Sequence, residues 1–340
     1  MNRFVKLGSA ALLAGLVAAP AAAIDYDGRQ ITIVIGYGFG GTYGQYGRAF
    51  AENLKNYIPG KPNIIVQSMP GAGGIKMTNY SYNVMPRDGY WAFIPPDTTV
   101  VSQLLRPTKV KYKANEFSYL GASNQTNTIL VVRKDTGIRT VDDLRNKPLV
   151  TGNTGPGSTS YLIPQMVKSM LGLDKLKIIS GYKGSRNTLL AVEQGEIGGA
   201  AFNWLAWASI APHWFEKGKE TAFPILQTGV WKDPDLPDVP MLSPLVKPEH
   251  KPVVAFMATL GIIGRGLALP PGAPKEATTV LRKAFGDMVK DPKYLADAKK
   301  RNLRVLYTPG VEIQNFVEKA MKDANPEVVA AAQKLIFPKK

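Results

Sequence analysis

The chain has no cysteine and two histidines among its 340 residues. The first absence removes disulfides, thiolate nucleophiles and cysteine metal sites. The second leaves His213 and His250 as the imidazoles, and neither sits in a motif for a zinc ligand or a triad base. Beside Pro212 and Glu249 they read as surface residues. Acidic residues are also scarce: 26 Asp and Glu stand against 42 Lys and Arg, a net charge of +16. A field of that sign steers anionic ligands toward the protein. The basic residues are scattered rather than gathered with aromatics on one element, so no nucleic-acid partner is expected. Beyond the first 23 residues no stretch is apolar enough to cross a bilayer.

Those first residues carry what the rest lacks. Arg3 and Lys6 precede the apolar run Ala10 to Ala19, and Ala21-Ala22-Ala23 offers a small-residue cleavage site, the pattern of a secretory signal peptide over 1–23. The run is too short for a comfortable membrane span. The mature chain is expected to start near Ile24, to be exported and soluble, and to be long enough for two domains with separate cores.

What the sequence has in abundance is glycine at the ends of apolar β runs. Ile31 to Ile35 leads into Gly36-Tyr37-Gly38-Phe39-Gly40-Gly41, and Tyr43, Tyr46, Phe50, Leu54 and Tyr57 then recur at helical spacing on one face. The first-turn N–H groups of such a helix lack internal partners, and its dipole places partial positive charge at the loop. Strand, glycine loop and helix therefore make an anion site. Gly36, Gly38 and Gly41 also satisfy G-x-G-x-x-G, the dinucleotide fingerprint. The next β run, Asn63 to Gln67, ends without the Asp or Glu that would hold a ribose. That lack and the export signal argue against a nicotinamide or flavin.

The same device returns. Pro70-Gly71-Ala72-Gly73-Gly74 precedes a helical segment from Ile75 to Val84, and Tyr90 to Ile94 is a short strand ending at Asp97-Thr98, where either residue can cap the next helix. Strands alternating with helices predict an α/β fold with mostly parallel sheets and ligands outside the strand carboxyl ends. The polar stretch Ala122 to Thr126 reads as a crossing to a second lobe. There, Val150 to Thr159 is a third glycine-rich strand-to-helix loop, and Lys177 to Ser180 leads into Gly181-Tyr182-Lys183-Gly184-Ser185. A Gly/Ala-rich run then ends at Phe202-Asn203-Trp204. Phe223 to Thr228 is read as returning the chain to the first lobe, and two closing helices near 312–322 and 326–335 as packing there. The expected lobes are thus 24–123 with 227–340, and 124–226.

In sum these motifs resemble, in order and over nearly all of the mature chain, the periplasmic substrate-binding proteins of tripartite tricarboxylate transporters, the TctC or Bug family. The carriers are Gly40-Gly41, Pro70 to Gly74, Asp88-Gly89-Tyr90, Gly155 to Thr159, Tyr182 to Ser185, Leu236-Pro237-Asp238-Val239-Pro240 and Pro271 to Glu276. The resemblance implies the two-lobed periplasmic-binding-protein architecture, closing over a small carboxylate, and a membrane permease as partner. It implies that Gly40-Gly41-Thr42 and Gly157-Ser158-Thr159 grip a carboxylate from opposite lobes. By position, Phe39, Gly73, Gly74, Thr98, Lys183, Asn203 and Trp204 are expected to line the same cleft.

Each position has a plainer role as well. Ser158, Thr159 and Asp97 can simply cap helices, Lys183 can be a solvated turn residue, and Tyr37, Tyr43, Trp204 and Trp207 can be packing rather than stacking platforms. Two departures from the family pattern matter. Gly44 stands where Asp is frequent, and Asn203 stands where a second Asp would neutralise an amino group. A buried ammonium without an anion is costly, so amino acids are disfavoured against ligands with an uncharged tail or a second carboxylate. The expectation is a monomeric receptor with no metal, cofactor or catalytic residue. The alternative is an exported dinucleotide-dependent or hydrolytic enzyme using the Gly36 to Gly41 loop.

Overall fold

The computed structural model describes residues 24–338, so the expected signal peptide at 1–23 lies outside the described residues. Elements run β1 (Gln30–Ile35), α1 (Thr42–Leu54), β2 (Asn63–Ser68), α2 (Ile75–Asn83), β3 (Trp91–Ile94), α3 (Thr99–Leu105) and β4 (Ser118–Ala122). The chain then crosses into β5 (Thr128–Arg133), α4 (Val141–Asn146), β6 (Leu149–Asn153), α5 (Thr159–Leu171), β7 (Leu176–Ser180), α6 (Ser185–Glu193), β8 (Gly199–Asn203), α7 (Trp204–Ile210), β9 (Ala222–Thr228) and α8 (Lys251–Ala258). It closes with β10 (Gly266–Leu269), α9 (Lys275–Lys290), α10 (Pro292–Lys300), β11 (Thr308–Pro309), α11 (Gly310–Lys322) and α12 (Pro326–Ile336).

Two sheets result, ordered β11-β4-β10-β3-β1-β2 and β7-β6-β8-β5-β9. Both are mixed rather than mostly parallel. β1 is parallel to β2 and β3, but β10 runs antiparallel to β3 and β4, and β5 antiparallel to β8 and β9. Two of the antiparallel strands, β5 and β10, stand where the chain enters each sheet from the other one; β11 also runs antiparallel to β4.

Each sheet is covered on both faces, as strands with nearly continuous apolar runs require. On the first, Tyr46 and Phe50 of α1 pack with Phe285 and Met288 of α9, while Phe93 and Phe117 pack on the opposite face with Ile313 and Val317 of α11. Phe50 is fully buried, a burial that contributes about 1.5–3 kcal/mol. On the second, Leu162 and Met166 of α5 form one core, and Leu189, Trp207 and Trp214 cover the other side.

Two expectations are corrected here. β9 does not return the chain to the first lobe: it pairs with β5 along Thr128–Arg133. α8 follows it into the second core through Val253, Val254 and Met257. The return comes at β10. The last helix, α12, also packs with the second sheet's core, through Ala332 and Ile336, whereas α11 packs on the first as expected. Asn325, whose side chain accepts from the N–H groups of Glu327 and Val328, starts α12 at the turn that redirects it.

Where the lobes join, Ser123 donates its N–H to Arg265 O at 2.7 Å, and Leu306 donates to Ser123 O at 2.6 Å. Gly264 has φ +59 and a Cβ there would fall 1.6 Å from Asn124 O, so glycine is required by both conformation and space.

Candidate ligand-binding site

Loops leaving β1, β3, β6, β7 and β8 meet between the lobes around one cavity. It is lined from the first lobe by Tyr37, Gly41, Thr42, Tyr43, Asp97, Thr98 and Arg265. The second lobe brings Thr154, Ser158, Thr159, Ser160, Ser185, Phe202, Asn203 and Ala206.

Helix ends dominate this wall. Gly41 starts α1, Thr98 starts α3, Ser158 starts α5 and Gly184 starts α6, and none of the four places a side-chain cap on its helix. Ser158 has the residue type for a cap, but its hydroxyl donates to Gly155 O at 2.7 Å and lies 2.9 Å from Ser160 Oγ. First-turn N–H groups thus stay available, and the dipoles converge from both lobes. α7 is different, because Asn203 Oδ1 accepts from Ala206 N at 3.3 Å.

The charged pair on the wall is buried. Arg265 Nη1 donates to Asp97 Oδ1 at 2.5 Å, the two being 2% and 6% exposed. Asn203, from the other lobe, donates Nδ2 to Asp97 Oδ2 at 3.1 Å. Arg265 turns Nη2 to Thr42 Oγ1 at 3.1 Å and lays its guanidinium 3.9 Å over the Tyr43 ring. Tyr43 stacks on Tyr37 with centroids 4.4 Å apart, and its hydroxyl accepts from Asp97 N at 3.0 Å. Asp97 is therefore no helix cap; its carboxylate faces Arg265. Burial pushes the carboxyl up from its ordinary range, and Arg265 opposes that rise. Burial likewise raises the Tyr37 and Tyr43 hydroxyls, so both rings are neutral hydrogen-bonding groups.

Of the residues singled out from sequence, Gly41, Thr42, Thr98, Ser158, Thr159 and Asn203 line the cavity. Phe39 is 45% exposed and outside the cavity lining, and Gly40 lies beside the Arg186 side chain. Gly73, Gly74 and Gly157 are elsewhere: Gly73 meets the backbone of Gly155, Gly157 and Ser158, and a Cβ on it would fall 2.4 Å from Ser158 N. These loops are where the lobes touch. Gly74 abuts Pro96, and Tyr37 OH donates to Gly73 O at 2.8 Å. Lys183 lines an adjoining groove, and its carbonyl accepts from Gly38 N at 2.9 Å across the lobe boundary. That contact covers the G-x-G-x-x-G loop with protein. Trp204 packs against Phe215 and donates Nε1 to Asp235 Oδ2 at 3.0 Å.

Arg265 is the residue that the sequence reading passes over. Its signal was there: one charge between Gly264 and Gly266 in an otherwise apolar run. Ser160, Ser185, Thr154 and Ala206 carry no comparable mark. Among the described residues no group of three or more His, Asp and Glu is placed to hold a metal.

Two α/β lobes closing uncapped helix ends around an interlobe cavity define a two-lobed solute-binding protein. The chain also matches the tripartite tricarboxylate transporter family receptor, TctC, over residues 47–331, and it belongs to that family. It is thus a receptor for small organic carboxylates that works with a tripartite transporter, not an enzyme, and its family's members are periplasmic binding proteins. A relative from Cupriavidus necator, described as the UPF0065 protein in the gbd 5' region, is 25% identical over 331 residues, covering 94% of this chain and 92% of that one. The fold is shared with the periplasmic binding protein BugD, at 19% identity and TM-score 0.71 over 91% of this chain and 98% of that one. It is shared too with MatC of Rhodopseudomonas palustris, solved with bound malate, at 18% identity and TM-score 0.67 over 91% and 99%. An R. palustris protein solved with adipate gives 21% identity and TM-score 0.68 over 91% and 98%.

Proposed function

We propose that this chain is exported through a cleaved signal at 1–23, acts as a monomer, and holds one ligand carboxylate at the paired helix ends before delivering the ligand to its permease. The observation that carries the reading is the convergence of α1 and α5, one from each lobe, with their first-turn N–H groups uncapped by side chains. A carboxylate between them gains hydrogen bonds and dipole from both lobes at once, so binding favours the closed form. A ligand shifts an opening equilibrium by its differential affinity for the two forms. The domain division that fits this reading gives the first lobe the first sheet with α1, α2 and α9 to α11, and the second lobe the second sheet with α4 to α8 and α12.

The test is thermal unfolding of the purified protein with mono-, di- and tricarboxylates, aromatic acids, amino acids and NAD. Saturation at a hundred times the dissociation constant adds roughly 2.7 kcal/mol, which raises the midpoint by roughly 5 to 10 °C. The expected result is a shift with one class of acid and none with NAD. A shift with NAD alone would restore the dinucleotide reading of the loop at Gly36.

A further inference from the structure

The cavity wall carries a cancelled charge. Among the described residues, its charged side chains are Asp97 and Arg265, one of each sign, and each is committed to the other at 2.5 Å. Nε and Nη2 of Arg265 each point one N–H to Thr42 Oγ1, at 3.4 and 3.1 Å, and the second Asp97 oxygen is taken by Asn203 at 3.1 Å, so Arg265 keeps free N–H groups but its charge is balanced by Asp97. A ligand carboxylate moving toward Arg265 therefore meets Asp97 beside it. The positive potential left in the cavity is that of the helix ends at Gly41, Ser158 and Gly184. These ends, with the shorter α3 at Thr98, offer partial charges of about half an elementary charge each, spread over both lobes rather than gathered in a full cation. A second carboxylate would be desolvated against a wall with no free cation, and buried charge without a partner is strongly unfavourable.

We propose that Asp97 sets the charge of the ligand: by holding Arg265, it makes the cavity a site for a small acid with one carboxylate and a neutral tail rather than for a di- or tricarboxylate. The inference rests on the carboxylate-receptor reading and narrows it. It assigns to Asp97 a specificity role exercised through Arg265.

The adjoining groove sets up the contrary case. It offers about 410 Å³, shares Tyr37 and Thr154 with the cavity, and is lined by Lys183. A diacid long enough to pass Tyr37 would bring its second carboxylate there.

The deciding experiment is calorimetric titration of the wild type with propanoate, butanoate, pentanoate, malonate, succinate, glutarate and citrate. The same series is run on Asp97→Asn and on the double variant Asp97→Asn/Arg265→Gln. The wild type is expected to bind at least one monocarboxylate tenfold or more tighter than the diacid of equal carbon count. Asp97→Asn frees Arg265 and should move that ratio at least tenfold toward diacids. The double variant removes both charges and should move the ratio back. Thermal unfolding without ligand shows whether each variant is folded, and the wild-type series stands alone if Asp97→Asn is not. Tighter wild-type binding of malonate, succinate, glutarate or citrate overturns the proposal, as does an unchanged ratio in folded Asp97→Asn. Loss of diacid selectivity in Lys183→Ala would then assign the second carboxylate to the groove. Failure of every acid in this series overturns the inference, and the receptor reading falls with it only if the wider thermal-unfolding panel is silent as well.

Discussion

Burial raises the Asp97 carboxyl above its ordinary range, and Arg265, always protonated, opposes that rise. A carboxyl raised in the folded state binds more protons folded than unfolded, so its contribution to stability is complete below the unfolded value near 4 and is lost as pH rises through the raised one. The unfolding midpoint of the wild type minus that of Asp97→Asn is therefore expected to fall as pH rises above about 4. A difference that grows with pH would mean that the pairing outweighs burial and depresses the carboxyl. Neither partner is legible as such in the sequence. Asp97 sits at the turn before α3 where an Asp normally caps, and Arg265 lies 168 residues away. A contact at that separation has no local signature. What the sequence does mark is the oddity of each residue, a charge in an apolar setting.

Elements were more legible than contacts. Helices α1, α2, α5 and α11 follow from apolar periodicity and from glycine or proline at their boundaries, and Thr140 with Asp143 makes the capping box that starts α4. Glycine loops at strand ends suit close approach to a ligand, and Gly41 does line the cavity. Gly73 uses the same freedom to approach the other lobe, at φ +68 and in backbone contact with Ser158. Sequence shows that a position needs glycine but not which neighbour comes close. The two positions separate experimentally. A Cβ at Gly41 would meet the rotatable Ser185 hydroxyl at 2.8 Å, whereas one at Gly73 would meet Ser158 N at 2.4 Å. Gly73→Ala is thus expected to hold the lobes apart and weaken acid binding by more than about tenfold, or 1.4 kcal/mol. Gly41→Ala should cost less than half of that in free energy. Titration of both variants checks the order, and equal losses would contradict the assignment of Gly73 to lobe contact.

At the scale of the molecule, chain crossings mix the lobes more than the sequence reading allowed. The amphipathic pattern of α12 shows a buried face but not its partner, and α8 and α12 both turn to the second core. Ser123, Asn124, Gly264 and Arg265 tie two crossings together, so the residue that pairs with Asp97 belongs to the joint between lobes. Gly38 bonded to Lys183 and Gly73 against Ser158 hold the lobes together beside the cavity, and the proposed function has the ligand enter when they part. Small-angle X-ray scattering on the purified protein, alone and saturated with the acid that most raises its unfolding midpoint, tests this directly. The expected result is a smaller radius of gyration with the acid, and no such contraction in Gly73→Ala. An acid that binds while the wild-type radius stays unchanged would contradict capture by closure of two lobes.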